Sequence, residues 1–419
     1  MKRSLTSRCA SRSLIGGRIG RRMRVSFWLA GLSGLLILSL RAPGLEGSSL
    51  SDTDRYNFVL GTQTFAPSYH FSGRHPLIET VEVIQEMGAS VVKFGLGPAS
   101  KKDPSLPAGI NSLMTLARDS PVHREALDKP FAFYVLWLDA FSHRDWRNGF
   151  SSAAWDAEYR EIYELVCHLL KAYSGTGKAF YLGHWEGDGM LRHTVRREDD
   201  ARVTPAAVQG MIDWLGARQQ AVDDAKRDTP HNGVEAWHYT EVNHVVIARD
   251  EDRPAVVNLV LPKVPVDFVS YSSYDSTNRP EPENFKSSLD FIESKLHPKS
   301  EIAGKRVFVG EYGFPVLRPG KPRTPGEQDA MSRVVMRASL EWGCKFVLYW
   351  ELYNNEVSPD GAQVGFWMIN DRGEKQPVFH THQSFFQWSR AFVSGYREKH
   401  GAPPPEREFR NAAVRFLDR

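Results

Sequence analysis

The chain has 419 residues, of which 41% are hydrophobic and 25% charged, proportions that are ordinary for a globular protein with a sizeable core. Its net charge of +3 comes from the first 45 residues, which hold nine Lys or Arg and no Asp or Glu, whereas the remainder has 44 basic and 50 acidic side chains. A mildly acidic folded part argues against a nucleic-acid-binding surface, so we expect no nucleic-acid partner.

The N-terminus has the pattern of an export signal. Arginines 18, 21, 22 and 24 precede an uncharged run of 16 residues that ends at Leu40. A basic stretch before a short apolar segment is typical of a secretory signal, and this run is shorter than the about 20 residues of a stable membrane span. We therefore predict that residues 1–50 are a signal peptide with a linker, the alternative being an uncleaved membrane anchor through residues 25–40. In either case the protein is expected to be exported and to act outside the cytoplasm, as a secreted, periplasmic or membrane-anchored protein.

The positions of the three cysteines do not indicate a disulfide framework. Cys9 lies in the leader, Cys167 in an apparent helix and Cys344 just before an apparent strand. A Cys167–Cys344 disulfide is the alternative to two buried free thiols, which we favour. The sequence has no CxxC motif and no Cys/His cluster, so we expect no metal site, and no other cofactor is indicated.

From residue 55 onward, short apolar runs alternate with longer amphipathic ones. Several of the short runs are almost continuously hydrophobic, as is typical of parallel strands buried on both faces. Eight strands are predicted, at Asn57–Gly61, Ser90–Phe94, Phe131–Leu138, Ala179–Gly183, Val234–Val245, Asp267–Tyr271, Arg306–Gly310 and Lys345–Trp350.

Helices are predicted between these strands. An apolar stripe runs from Tyr159 to Leu170 at helical spacing. Thr204 followed by Pro205 marks a helix start. Thr324 and Glu327 form a capping box, and Gly343 is suited to end the helix that follows.

Eight successive β-then-α units predict an α/β fold of the (β/α)8 TIM barrel type, with a single catalytic domain over residues 51–398. The alternative, a doubly wound open sheet, usually brings a glycine-rich phosphate turn after its first strand, and GTQTF at residues 61–65 is not one. Residues 399–419 contain the proline-rich, charged segment GAPPPERE, which predicts an extended C-terminal tail.

Two glutamates stand where such a barrel carries its chemistry, at the C-terminal ends of the strands. Glu186 follows the fourth predicted strand and Glu311 ends the seventh, so the two face each other across the barrel mouth. Glycoside hydrolysis needs such a pair, one acid to protonate the leaving oxygen and one carboxylate at the anomeric carbon. The acid must keep its proton near neutral pH, which requires burial or a nearby negative charge. Glu186 and Glu311 are therefore the predicted catalytic residues, with Asp188 as the alternative acid.

Other side chains near the strand ends are candidate sugar contacts, because flat aromatic faces bind sugar rings and polar groups bind hydroxyls. Lys93, at the end of the second strand, is a candidate partner for the nucleophile's charge, although an ordinary salt bridge explains it equally well. Tyr239, Glu241 and Asn243 share one face of the fifth strand, and they are candidate sugar contacts if that face is the inner one. The candidate substrate-binding residues are Trp137, Trp185, His184, Tyr271, Tyr274, Trp350 and Asn243.

Three segments resemble clan A glycoside hydrolases. Val307–Pro315 (VFVGEYGFP) is similar to the clan's strand-seven nucleophile segment, and in FVLYWELYNN Trp350 matches the aromatic that commonly floors the sugar site. In DFVSYSSYD, Tyr271 and Tyr274 stand near a tyrosine that often contacts the nucleophile. The resemblance implies a retaining (β/α)8 glycosidase that acts on a carbohydrate by double displacement, with Glu311 as nucleophile and Glu186 as acid/base. The chain departs from the clan at residue 185, where Trp stands in place of the common Asn.

Two other functions fit parts of the sequence. A catalytically inactive carbohydrate-binding barrel would keep the aromatic cleft, and the departure at Trp185 favours it. A metal-dependent barrel hydrolase would use His184, Asp188 and His238, but the HxH motif that many such barrels carry after the first strand is missing. The acceptor in a glycosidase reaction can be water or a second sugar, since both use the same residues.

Overall fold

The computed structural model describes residues 50–99, 105–194, 196–278 and 281–419. The predicted signal or anchor, together with Cys9, lies outside the described residues. Within the described part of the chain, no helix is both long and apolar enough to cross a membrane.

Eight parallel strands close into a barrel in which each strand pairs with its neighbours in sequence and β8 pairs with β1. This confirms the predicted (β/α)8 fold and excludes the open sheet. The strands are β1 Leu60–Gln63, β2 Val91–Leu96, β3 Phe133–Leu138, β4 Ala179–Gly183, β5 Glu235–Val242, β6 Phe268–Ser272, β7 Val307–Tyr312 and β8 Val347–Tyr349.

All eight predicted strands exist, although several boundaries differ. The first begins at Leu60 rather than Asn57, because the backbone turns just before it. The side chain of Asn57 accepts a hydrogen bond from the Val59 amide at 2.8 Å, and Val59 has a positive φ of 71°. A short polar side chain that bonds to the backbone two residues ahead favours a turn over a strand.

Helices surround the barrel. The predicted N-caps are confirmed, since the side chain of Thr204 accepts from the Ala207 amide and that of Thr324 from the Glu327 amide, and Gly343 ends its helix in the left-handed conformation. The helices of the described residues are α1 Pro76–Met87, α2 Leu113–Asp119, α3 Pro121–Asp128, α4 Ser152–Ala172, α5 Gly187–Arg192, α6 Pro205–Asp228, α7 Val245–Glu251, α8 Val256–Leu259, α9 Tyr274–Thr277, α10 Pro282–Glu293, α11 Pro325–Trp342, α12 Pro377–His400 and α13 Glu406–Leu417.

The prediction of an extended C-terminal tail is wrong. Prolines 403–405 end the connection after α12, and α13 follows directly. Phe409, Ala413 and Leu417 recur every fourth residue and are buried, and α13 packs against α11 and α12. The prolines occupy only the linker, and the apolar spacing after them is the signal for the helix.

Cys167 and Cys344 are both free thiols, as favoured, although Cys167 is only partly buried. Cys344 is buried just before β8, and Cys167 accepts a hydrogen bond from the Thr229 hydroxyl.

Candidate active site

Glu186 and Glu311 line one cavity of about 500 Å³ at the C-terminal ends of the strands. The structure thus brings together the two side chains that the strand positions single out. The cavity is walled largely by aromatic rings and carboxylates, and its lining is Phe65, Trp137, Trp185, Glu186, Tyr274, Glu311, Trp350, Asn355 and Glu356.

A β-bulge aims Glu311 into the barrel. The pairing between β6 and β7 shifts so that Tyr271 lies opposite Val309 but Ser272 lies opposite Glu311, leaving Gly310 as the extra residue. An extra residue reverses the alternation of side chains beyond it, so Glu311 faces inward like Phe308. Gly310 suits this point because a Cβ there would lie 1.8 Å from the Ser270 hydroxyl oxygen, so that the Ser270 side chain would have to move.

Lys93 is the cation beside Glu311. Its fully buried Nζ lies 3.5 Å from Glu311 Oε1 and 3.5 Å from Glu241 Oε2, and it donates to the Gly310 carbonyl at 3.0 Å. Burial raises the pKa of Glu311 well above its ordinary value, and the charges of Glu241 and Glu186 raise it further, while Lys93 lowers it. The ammonium therefore favours the ionised form of Glu311 within a site that otherwise disfavours charge.

Glu186 lies in a different environment. It follows β4 with a positive φ of 26°, and its backbone amide donates to Glu241 Oε1 at 2.9 Å. Burial raises the pKa of Glu186 to about 7, and the charge of Glu241 is the next largest cause. A carboxyl group in this position holds a proton close to neutral pH, as a general acid must.

Glu241 is a third buried carboxylate at the centre of the site. It accepts hydrogen bonds from the Glu186 amide and from the Ser270 hydroxyl, the latter at 2.8 Å, and pairs with Lys93. The sequence singled it out only as a candidate sugar contact. Glu241 lies two residues after Tyr239 on the same strand, so both side chains lie on one face. Because Tyr239 fills the barrel interior, this spacing was the signal that Glu241 points inward. Glu241 therefore links the main chain of Glu186 to the lysine beside Glu311.

Glu351, which directly follows the eighth predicted strand, is buried and holds two loops together. Its carboxylate accepts from the backbone amides of Phe65 and Asn355, both at 3.1 Å, and so ties the segment after β1 to the segment after β8. The peptide bond between Trp350 and Glu351 is cis.

The three predicted tryptophans all line the cavity. Trp350 is nearly buried, and Trp185 is 48% exposed. Phe65 joins them, with its ring centroid 4.0 Å from that of Trp137 and 5.6 Å from that of Trp350. Sequence reasoning missed Phe65, although it directly follows the end of the first strand region. The rings form a continuous aromatic wall on which a sugar ring can stack.

Of the two predicted tyrosines, Tyr274 lines the cavity and Tyr271 does not. Ser270 and Ser272 donate to Glu241 and Glu311, at 2.8 and 3.5 Å, so they occupy the inner face of β6. Tyr271 alternates with them and points outward, where its buried hydroxyl donates to Asp275 and lies 2.9 Å from the Ser276 hydroxyl oxygen. The prediction of Tyr271 as a sugar contact is therefore corrected.

His184 is also outside the cavity. It follows the inward-facing end of β4 and points into the layer between barrel and helices, where its Nε2 lies 2.8 Å from the Thr240 hydroxyl oxygen and its ring lies against Trp214. Burial lowers the pKa of His184 to about 3. Asn243 lines a smaller cavity of about 120 Å³ that also borders Glu186.

Asp188 holds loops together. It is fully buried, pairs with Arg192, and accepts from the backbone amides of Asn243, His244 and Val256 at 2.9, 3.2 and 2.8 Å. Its carboxylate is thus occupied by the protein and lies outside the cavity that Glu186 and Glu311 line, which argues against it as the alternative acid.

The metal-dependent alternative lacks its ligand set. His238 Nδ1 lies 3.1 Å from Gln219 Oε1, and His184 and Asp188 are engaged as described. Across the residues that the structure describes, no three His, Cys, Asp or Glu side chains are grouped to hold a metal ion.

Replacing Asp188 with Ala is expected to lower the free energy of unfolding by about 3–5 kcal/mol, because it leaves the buried Arg192 with only the partly exposed Asp200 as an ionic partner and takes the acceptor from three buried backbone amides. Chemical denaturation measures this change. Asp145→Ala is the matched control, since its pair with Arg147 is solvent-exposed and worth less than about 1 kcal/mol. Equal losses in the two variants would contradict the structural role of Asp188.

The sequence matches no protein-family model and no curated protein. Solved structures do match in fold. A GH5_18 protein from Bifidobacterium longum subsp. infantis superposes with a TM-score of 0.52 at 15% identity, over 78% of each chain. A GH5_18 protein from Streptomyces cattleya, solved in complex with Manβ1-4GlcNAc, gives 0.52 at 13% identity over 83% of this chain and 82% of that one.

An exo-β-1,4-mannosidase from Opitutaceae bacterium strain TAV5 gives a TM-score of 0.52 at 14% identity, over 82% of this chain and 62% of that one. At such low identity these likenesses concern the fold alone. The chain has the eight-stranded parallel barrel of solved clan A glycoside hydrolases.

Proposed function

We propose that this protein is a retaining glycoside hydrolase in which Glu311 is the nucleophile and Glu186 the acid/base. The observation that carries the proposal is that the two glutamates line one aromatic-walled cavity in unlike surroundings. Glu311 has Lys93 at 3.5 Å, whereas no Lys or Arg of the described residues forms an ion pair with Glu186. Two carboxyls of which only one has a cation beside it are suited to act as one nucleophile and one acid, because the cation favours the ionised form of its partner alone.

In the first step, the ionised Glu311 attacks the anomeric carbon while Glu186 gives its proton to the departing glycosidic oxygen. The bond from the anomeric carbon to that oxygen breaks, and an ester bond to Glu311 forms. Lys93 supports this step because its positive charge lowers the pKa of Glu311 and so favours the ionised form that attacks.

In the second step, Glu186, now ionised, takes a proton from water as the water oxygen attacks the anomeric carbon. The ester bond breaks, Glu311 leaves as a carboxylate, and Glu186 is again protonated. Two inversions at one carbon give net retention. The rings of Trp350, Trp137 and Phe65 supply a stacking surface for the sugar, with Trp185 at the exposed side.

The test is hydrolysis of aryl β-glycosides, soluble polysaccharides and Manβ1-4GlcNAc, the last because a structure of similar fold was solved with it. The anomer released first is identified by NMR. We expect turnover with retention on at least one substrate. Release of the opposite anomer contradicts the double displacement, and sugar binding without turnover identifies a carbohydrate-binding barrel. From the basic, then apolar leader we further propose that this activity lies outside the cytoplasm.

The pH dependence should be bell-shaped, with its alkaline limb near pH 7, where Glu186 loses its proton. Glu241→Gln removes a negative charge that raises the pKa of both Glu186 and Glu311. Both limbs should therefore move to lower pH, as measured in kcat/KM profiles.

The control for that shift is Glu161→Gln on α4. Glu161 is also buried, and its carboxylate accepts from the backbone amides of Leu113, Phe141 and Ser142, outside the site. This variant should lose stability while keeping the profile of the wild type. If Glu241→Gln behaves in the same way, Glu241 does not influence the protonation of the pair.

A further inference from the structure

A second cavity of about 500 Å³ adjoins the one that holds the glutamates. Phe65, Trp137 and Trp185 line both cavities. The second cavity, called here the side chamber, lies between the C-terminal ends of β2 and β3 and the beginnings of α1 and α3. Its other lining residues are Thr64, Ala66, Pro67, His75, Pro76, Leu77, Phe94, Gly95, Leu96, Gly97, Ala99, His123, Leu138 and Asp139.

The walls of the side chamber are mainly carbon. Leu77, Phe94, Leu96 and Leu138 add aliphatic and aromatic surface to the shared rings, and Gly95 adds no side chain. A cavity of this size and apolar character is typical of sites for small organic groups.

Most polar groups in these walls already bond to the protein, and the exposed carboxylate of Asp139 is an exception among the described residues. The Thr64 hydroxyl lies 2.9 Å from that of Thr80, and His123 Nδ1 lies 2.8 Å from the Ser120 hydroxyl. His75 Nδ1 accepts from the Leu77 amide at 3.2 Å. A sugar residue in the side chamber would lose hydrogen bonds from its hydroxyls to water and find few replacements, which is unfavourable.

We propose that the side chamber binds an apolar group, an alkyl, acyl or aryl chain, covalently attached to the sugar that occupies the catalytic cavity. The inference rests on the proposed function for the placement of the sugar. It makes the substrate an amphipathic glycoside, rather than an unsubstituted polysaccharide whose every residue is polar. The shared rings Phe65, Trp137 and Trp185 contact both parts of such a molecule.

Binding of non-hydrolysable probes tests the proposal without requiring turnover. The probes are methyl and hexyl 1-thio-β-glycosides of glucose, galactose and mannose, and the methyl 1-thioglycosides carrying a 6-O-hexyl ether. Tryptophan fluorescence reports binding, because Trp185 and Trp137 line the chamber. Each methylene removed from water raises affinity up to about fourfold. A hexyl compound has five more methylenes than its methyl counterpart, so even half of that free energy per methylene should make it bind about 30-fold more tightly. The two chain positions show on which side of the sugar the apolar group lies.

Variants at Leu77 test whether the hexyl group lies within the side chamber. Leu77 is only partly buried, at the start of α1. Leu77→Ser should reduce the advantage of the hexyl probe several-fold, and Leu77→Trp, which fills the space, should abolish it. Leu317→Ser is the control, since Leu317 is 52% exposed and lines neither cavity. Circular dichroism verifies that all three variants are folded.

Equal binding of methyl and hexyl probes at both positions overturns the proposal, as does a hexyl advantage that survives in both Leu77 variants. Tight, Leu77-dependent binding of hexyl probes in a protein that hydrolyses no glycoside supports the side chamber and refutes the hydrolase. Hydrolysis of simple glycosides, with equal binding of methyl and hexyl probes, supports the hydrolase and refutes the side chamber.

Discussion

Glu311→Gln is expected to lower kcat/KM on an aryl glycoside by at least about 10⁴-fold, because the amide has no charge with which to attack the anomeric carbon. The substitution keeps the shape of the side chain. It also relieves the repulsion between Glu311 and Glu241, which share one lysine at 3.5 Å from each. The melting temperature should therefore not fall, which separates loss of chemistry from loss of fold.

The matched control for this prediction is Glu351→Gln. Glu351 is equally buried at the end of the neighbouring strand, but its oxygens bond to the backbone amides of Phe65 and Asn355. It should lose stability and no more than about tenfold in kcat/KM, a small part of the barrier that an enzyme removes. A Glu311→Gln protein with activity close to that of the wild type would show that the nucleophile lies elsewhere.

Glu186→Ala has the second largest expected effect, a fall in kcat of about 10²–10⁴-fold on substrates with poor leaving groups. Substrates with an activated leaving group, such as dinitrophenol, need no proton for departure and should keep their first step. For these, breakdown of the ester on Glu311 becomes limiting because no base activates water. Azide should restore turnover and yield a glycosyl azide, since this anion needs no base and fits the space that the side chain vacates.

Asp188→Ala, two residues away, is the comparison for azide rescue. Its carboxylate bonds to loop amides and Arg192, so azide should not restore any activity that this variant loses. If azide fails with Glu186→Ala as well, and good and poor leaving groups suffer alike, Glu186 is not the acid/base.

The surroundings of the two glutamates differ because of the buried charges between them. Lys93 is the cation for both Glu241 and Glu311, and Glu241 in turn accepts from the amide of Glu186. Glu186 has a positive φ, a conformation that costs free energy in a residue other than glycine. The hydrogen bond to Glu241 offsets part of that cost and keeps a negative charge close to the acid.

Much of the fold follows from simple periodicity. Parallel strands buried on both faces are short and continuously apolar, so all eight could be located, and threonine caps marked where α6 and α11 begin. The rule that catalytic residues lie at the C-terminal ends of barrel strands then sufficed to predict that Glu186 and Glu311 lie close together. The start of the first strand was misplaced because the Asn57 side chain forms a hydrogen bond to the backbone there. A pattern of hydrophobic residues does not reveal such a bond.

The rest of the site depends on which face of a strand each residue occupies. His184 and Tyr271 lie at strand ends but on the outer face, so proximity in sequence misplaced them. Glu311 is on the inner face only because of the bulge at Gly310, a pairing irregularity between β6 and β7. Glu241 was on the correct face by its period-two relation to Tyr239, but its bonds to Lys93 and Glu186 join three strands and appear only in the folded barrel.

The central claim is that a sugar becomes covalently bound to Glu311, and trapping that ester tests it most directly. The protein is incubated with 2-deoxy-2-fluoro glycosyl fluorides of glucose, galactose and mannose, in which the fluorine at C2 slows breakdown of the ester, and its intact mass and peptides are then measured. We predict a mass increase of one fluorosugar on the peptide that contains Glu311, absent in Glu311→Gln and persisting in Glu186→Ala. An adduct on another carboxylate, or hydrolysis of a substrate with inversion and no adduct, would contradict the mechanism.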